Sequence, residues 1–176
     1  MSSRVHTRPV PAGTRIATHV AGSHFHDCYE IEVDAEPPRT ALCHFLATVA
    51  RTPEWVESMM RLRNRAVRLV GLKDLGTLAH IDPAKPESAY RAGDRVGIFT
   101  LRSNTPEEVI VGDDDKHLTV LLSVVVLPVA SGCRPRIALT TVVHIHNLLG
   151  HLYMLPVTPM HKLIARAVLA RAAARP

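Results

Sequence analysis

The sequence predicts an α+β fold, an antiparallel sheet with its helices on one face. Three observations carry this. Residues 24–33, HFHDCYEIEV, alternate with period two. Residues 38–70 carry apolar side chains at three- and four-residue spacing. Strand-like runs joined by turn residues then fill residues 94–146, and a helical pattern closes the chain. The order is strand, two helices, four strands and a long helix. Consecutive strands joined by short turns imply an antiparallel meander.

Each element has its own signal. Residues 1–22 contain prolines, a glycine and scattered basic residues without period, so a flexible N-terminal arm is expected there, followed by one domain over 23–176. In the first strand Phe25, Tyr29, Ile31 and Val33 form an apolar face, opposite His24, His26, Cys28, Glu30 and Glu32. A first helix is expected over 38–50. A second begins at Thr52 and Pro53 and ends at Gly71. Residues 73–93 read as a long loop. DRVGIFTLRS, EEVIVG, KHLTVLLSVVVLPV and RIALTTVVHIH are the four later strands, with DDD at 113–115 as one of the turns. Asn147 caps the last helix, which runs to about residue 173 and is interrupted by Pro156 and Pro159, so a kink or two helical pieces is expected.

Bulk composition narrows the function classes. With 176 residues, 47% apolar and 21% charged, the chain suits one globular domain. The aromatic fraction is only 4%, so the core must be built from Val, Leu, Ile and Ala. The net charge of +5 raises the question of nucleic acid. The arginine clusters fall on helices with apolar stripes and there are few aromatics for bases to stack on, so nucleic acid is not expected. The longest apolar stretch, residues 120–130, is too short to cross a membrane, and no secretory signal opens the chain. No membrane association and a cytoplasmic setting are the expectations. Three cysteines without a CxxC pair imply reduced thiols.

Several strings resemble a known family. DCYEIEV at 27–33, LRNRAVRLVGLK at 62–73, VGIF at 96–99, DDKHLTVLLSVVV at 114–126, and NLLGHLY with PMH between 147 and 161 are similar to a bacterial family named domain of unknown function 2867. Its members occur alone or fused behind short-chain-dehydrogenase-like NAD(P)-binding modules. The resemblance implies a fold similar to the helix-grip, START-like superfamily, in which a curved antiparallel sheet wraps a long C-terminal helix around an apolar cavity. It implies no established reaction.

Asp27 falls on the apolar face of the first strand. A carboxylate there is costly unless hydrogen-bonded or paired, which makes it a candidate acid, base or polar anchor. A frayed strand start would instead leave it solvated. His117 shares the alternation of Thr119 and Leu121, and His161 lies in the helical stripe of Val157, Met160 and Ile164. Both are expected to border the space between sheet and helix. Tyr153 follows Gly150 on the same helix, and close approach of another backbone would explain that glycine.

His24 with His26, and His144 with His146, form two His-x-His pairs on strands that the fold would place side by side. They are the weaker alternative, a metal site. The opposing reading puts both pairs on the solvated outer face. No phosphate loop and no nucleophile motif is present, and no cofactor is expected.

The first functional expectation is a small hydrophobic ligand bound between sheet and long helix, with Asp27, His117, Tyr153 and His161 as its polar anchors. The second is a polyketide-cyclase- or dehydratase-like enzyme using Asp27 and a histidine. The third is a module partnering an NAD(P)-dependent dehydrogenase-like protein or a second copy of itself.

Overall fold

The computed structural model describes residues 4–34, 37–68, 81, 85–129 and 133–172. Seven strands form one curved antiparallel sheet in the order β1-β2-β7-β6-β5-β4-β3. They are β1 (His6–Thr7), β2 (Phe25–Glu32), β3 (Arg95–Val96), β4 (Phe99–Asn104), β5 (Glu108–Asp114), β6 (Leu118–Leu127) and β7 (Arg136–Ile145). Helices α1 (Ala41–Ala50) and α2 (Glu54–Arg68) follow β2, and α3 (Leu148–Ala172) follows β7. The expected order is therefore present, with a long C-terminal helix packed on the sheet.

Two short strands enlarge the expected set. The run at 94–103 divides at Gly97, whose φ of +59° turns the chain between β3 and β4. The expected DDD turn lies later: β5 continues through Asp114, and the turn closes with Asp115 N–H donating to Leu118 C=O at 3.0 Å. Asp113 faces Arg95 across the sheet at 3.5 Å, so pairing keeps it in the strand. Pro53, expected as the first helical residue, takes the cap position in place of Thr52: α2 starts at Glu54, Pro53 C=O accepts from Val56 N–H at 2.9 Å, and the Thr52 hydroxyl donates back to Val49 C=O at 2.7 Å. Thr40 caps α1 by accepting from Cys43 N–H. Gly71 and most of the loop expected at 73–93 lie outside the described residues.

The meander places β7 at the heart of the sheet, paired with β2 on one side and β6 on the other. Its inner face carries Ile137 and Leu139. With Ile31, Leu42, Phe45, Val124 and Leu169, they form the main core between sheet and helices. Its outer face was expected to be solvated, but Thr140 and Val142 are buried. The cover is the segment expected as a flexible arm. Within residues 4–22, β1 pairs with β2, and a 3-10 helix at Ile16–His19 lies across the outer face. Ile16 is fully buried against Ile110, Leu121 and Val142. Burial of one such side chain contributes roughly 1.5–3 kcal/mol.

Pro156 and Pro159 do not divide α3, which is one helix. Their missing N–H groups free the carbonyls of Leu152 and Leu155. Both residues are exposed, so those acceptors lie on the solvent side, and the inward side of the helix keeps its ladder. The start of α3 is fixed twice. Asn147 Oδ1 accepts from Gly150 N–H at 3.1 Å, and Asn147 Nδ2 donates to Lys116 C=O at 3.0 Å. Gly150 lies against the His117 carbonyl, so the close backbone approach expected at this glycine is present.

A Gly150→Ala substitution tests that contact. Alanine favours a helix interior by about 1 kcal/mol. Its Cβ would lie 2.3 Å from His117 O and 2.6 Å from Ile145 Cγ2. Overpacking of this kind costs about 1–3 kcal/mol and should win, because one obstacle is backbone. Urea denaturation should show a net loss of stability; a gain would mean that α3 shifts freely.

Candidate functional site

The four candidate side chains form two pairs rather than one cluster. Asp27 and His161 meet at 3.2 Å, with His161 Nε2 donating to Asp27 Oδ1. His117 and Tyr153 meet edge to face, ring centroids 4.9 Å apart. The two helical members lie eight residues apart, roughly 12 Å along α3.

The first pair sits where β2 passes beneath the second half of α3. Period two turns Phe25, Asp27 and Tyr29 toward the helix. Phe25 packs edge to face on His161 at 5.7 Å. The Asp27 side chain is only 8% exposed, so it is neither solvated nor at a frayed end. Oδ1 is held by His161, whereas Oδ2 is buried without a hydrogen-bond partner of good geometry.

Tyr29 lies beside Asp27. Burial raises its phenol above the ordinary range, the charge and loose hydrogen bond of Asp27 add to this, and Arg166 opposes it.

Asp27 opens onto a groove of about 490 Å³. One wall is the N-terminal segment, from Thr7 to Val10 with Val20; the floor is β2 from Phe25 to Tyr29; the other wall is Lys162 and Arg166 of α3. Arg166 donates to the Thr7 hydroxyl at 3.0 Å and stands over the Tyr29 ring at 5.3 Å, bridging the two walls. Lys162 stands over Phe25. The groove is open and mixed in polarity, in contrast to the expected apolar cavity between sheet and long helix. Cys28 also lines it, but burial pushes its thiol up, which makes it a poor nucleophile.

The second pair is built on the turn before β6. His117 precedes the strand, so strand alternation does not govern it, and its ring lies beneath the first turns of α3. Nδ1 is 3.3 Å from Asp115 Oδ2, and Nε2 is buried without a hydrogen-bond partner. Arg63 of α2 donates to the Tyr153 hydroxyl at 3.1 Å. Burial pushes the His117 imidazole below its ordinary range; Asp115 opposes the shift and Arg63 adds to it.

The His-x-His residues are occupied separately. His24 Nδ1 accepts from Ile145 N–H, His26 meets the Ser23 hydroxyl, His144 donates to His19 C=O, and His146 meets the Thr119 hydroxyl. Among the described residues no three His, Cys, Asp or Glu side chains are gathered to hold a metal ion.

A family model described as protein of unknown function (DUF2867) matches residues 19–168. The chain belongs to that family. No curated protein and no solved structure matches the chain. The matched span of this DUF2867 member contains Asp27, His117, Tyr153 and His161, together with Lys162 and Arg166. The opposite wall of the groove, Thr7 to Val10, lies outside it. No helix among the described residues is long and apolar enough to cross a membrane.

Two buried histidines set a pH dependence. His44, like His117, is pushed down by burial, with Arg39 adding and Glu87 opposing. The folded state therefore keeps both rings neutral at a pH where the unfolded chain, titrating near 6.5, already binds protons. Stability should fall as pH drops below about 6.5, by up to about 1.4 kcal/mol per pH unit for each ring. Melting temperatures between pH 8 and pH 5 measure this. His117→Phe should flatten the slope, and an unchanged slope would remove His117 from the account.

Proposed function

We propose that the protein binds a small, partly apolar organic molecule in the groove between the N-terminal segment, β2 and α3, with Asp27 as its polar anchor. The observation that carries this is Asp27 itself. Burying an unmatched carboxylate oxygen costs stability, and a site that retains one is a candidate for meeting a donor from outside the protein. The groove beside it is of small-molecule size. Phe25, Val10 and Val20 supply the apolar contact, while His161 orients the carboxylate. Kinship to the helix-grip superfamily belongs to the same reading. Its support is the order of strand, two helices, antiparallel strands and long helix, with the first long strand paired to the last.

The geometry around Asp27 also favours an acid/base enzyme of the cyclase or dehydratase sort. In that reading Asp27 Oδ2 takes a proton from the bound molecule, and His161 stabilises the carboxylate in position. The partner reading has a separate support on the outward face of α3, where Leu148, Leu152, Leu155 and Leu163 are exposed. It assigns that face to a dehydrogenase-like protein or a second copy.

Fluorescence titration with the neutral probe N-phenyl-1-naphthylamine tests binding. Saturable one-to-one binding is expected, weakened at least about ten-fold by Val10→Trp, which fills the groove from the N-terminal side. Equal affinity in that variant, with an unchanged melting temperature, would place the probe elsewhere. The acid/base reading is tested by α-proton exchange of 2-octanone in deuterated water, followed by NMR. Acceleration by the protein should vanish in Asp27→Asn; no acceleration by the native chain rejects that chemistry for this ketone.

A further inference from the structure

The charges around the groove are unevenly placed. Arg8, Lys162 and Arg166 line it, and Asp27 is the one acidic residue among its lining residues. Glu30 stands 4.0 Å behind Arg8 and partly offsets it. Lys162 and Arg166 are exposed at the mouth on successive turns of α3, whereas the Asp27 side chain is buried at the floor. Asp27 in the floor keeps a buried, unpartnered acceptor, Oδ2, and the rim presents cations. Phe25 and Val10 supply apolar surface in the same groove.

We infer that the groove takes an amphipathic organic anion that also carries a hydrogen-bond donor. This deepens the proposed binding role and rests on it. The anionic group, a carboxylate or a phosphate, lies on Lys162 and Arg166 at the rim. A hydroxyl or amide N–H donates to Asp27 Oδ2 at the floor. The apolar part runs along Phe25 and Val10. Like charge keeps the anion away from Asp27, so the molecule has one orientation: donor inward, anion outward. A medium-chain 3-hydroxy acid is the simplest member of this class. A purely apolar molecule would leave the acceptor and the cations unused, and an amine would meet the cations at the rim.

Isothermal titration of the full chain at low ionic strength separates these cases, using 3-hydroxyoctanoate, octanoate, 1-octanol and octylamine. 3-Hydroxyoctanoate should bind about ten-fold tighter than octanoate, a difference of about 1.4 kcal/mol. Octanoate should bind tighter than octanol or octylamine. Asp27→Ala should abolish the advantage of the hydroxyl while keeping the preference for the anion; Asp27→Leu serves if the alanine variant fails to fold. Lys162→Gln should weaken both acids and leave octanol unchanged. If octylamine or octanol binds as tightly as octanoate, or the hydroxyl gives no advantage, the inferred class is overturned while the groove stands as a binding site. If none of the four binds, the binding role fails and the inference with it.

Discussion

Glu108 is buried on β5 and accepts hydrogen bonds from the backbone N–H groups of Arg15 at 2.7 Å and Ile16 at 3.0 Å, and from the Ser123 hydroxyl at 3.0 Å. A carboxylate at the start of a helical turn satisfies donors that have no partner of their own. Here it also joins the N-terminal segment to the middle of the sheet. That attachment seats Ile16, covers the outer faces of β5, β6 and β7, and holds the chain that forms one wall of the groove. Without it Thr140 and Val142 would lose their cover, and Asp27 would face a shelf instead of a groove.

The other wall depends on a contact at the far end of α3. Gly150 lets the helix start against the His117 carbonyl, and His146 N–H donates to the same carbonyl at 2.9 Å. From that fixed start, helical periodicity delivers Met154, Ala165, Val168 and Leu169 to the interior and His161 to Asp27. The buried His117 ring belongs to this junction. Its neutral form suits the apolar surroundings of Tyr153 and the helix start.

Much of the fold was legible because local patterns govern it. The alternation in 24–33 gave β2, the inward place of Asp27 followed from period two, and Asn147 and Gly150 were read correctly as a cap and a close approach. The Asp27–His161 contact was readable as two inward positions, although which histidine would meet Asp27 was not. The N-terminal segment was illegible for a physical reason. Its two-residue strand and four-residue 3-10 helix are too short to show a period, and the helix is held by Glu108, about ninety residues away. Glu108 was hidden likewise, since a glutamate in a strand reads as surface. Lys162 and Arg166 left a usable signal: four-residue spacing beside His161 puts both on one side of α3.

The two-residue strands have a consequence of their own. A long unpaired strand at the margin of a sheet is a template on which another chain can extend the ladder, and aggregation begins there. This sheet ends in β1 on one side and β3 on the other, each two residues long. The ten-residue strands β6 and β7, apolar enough to be hazardous if uncovered, are placed at the centre with neighbours on both sides. The chain thus keeps an open sheet without offering a margin long enough to recruit a stranger.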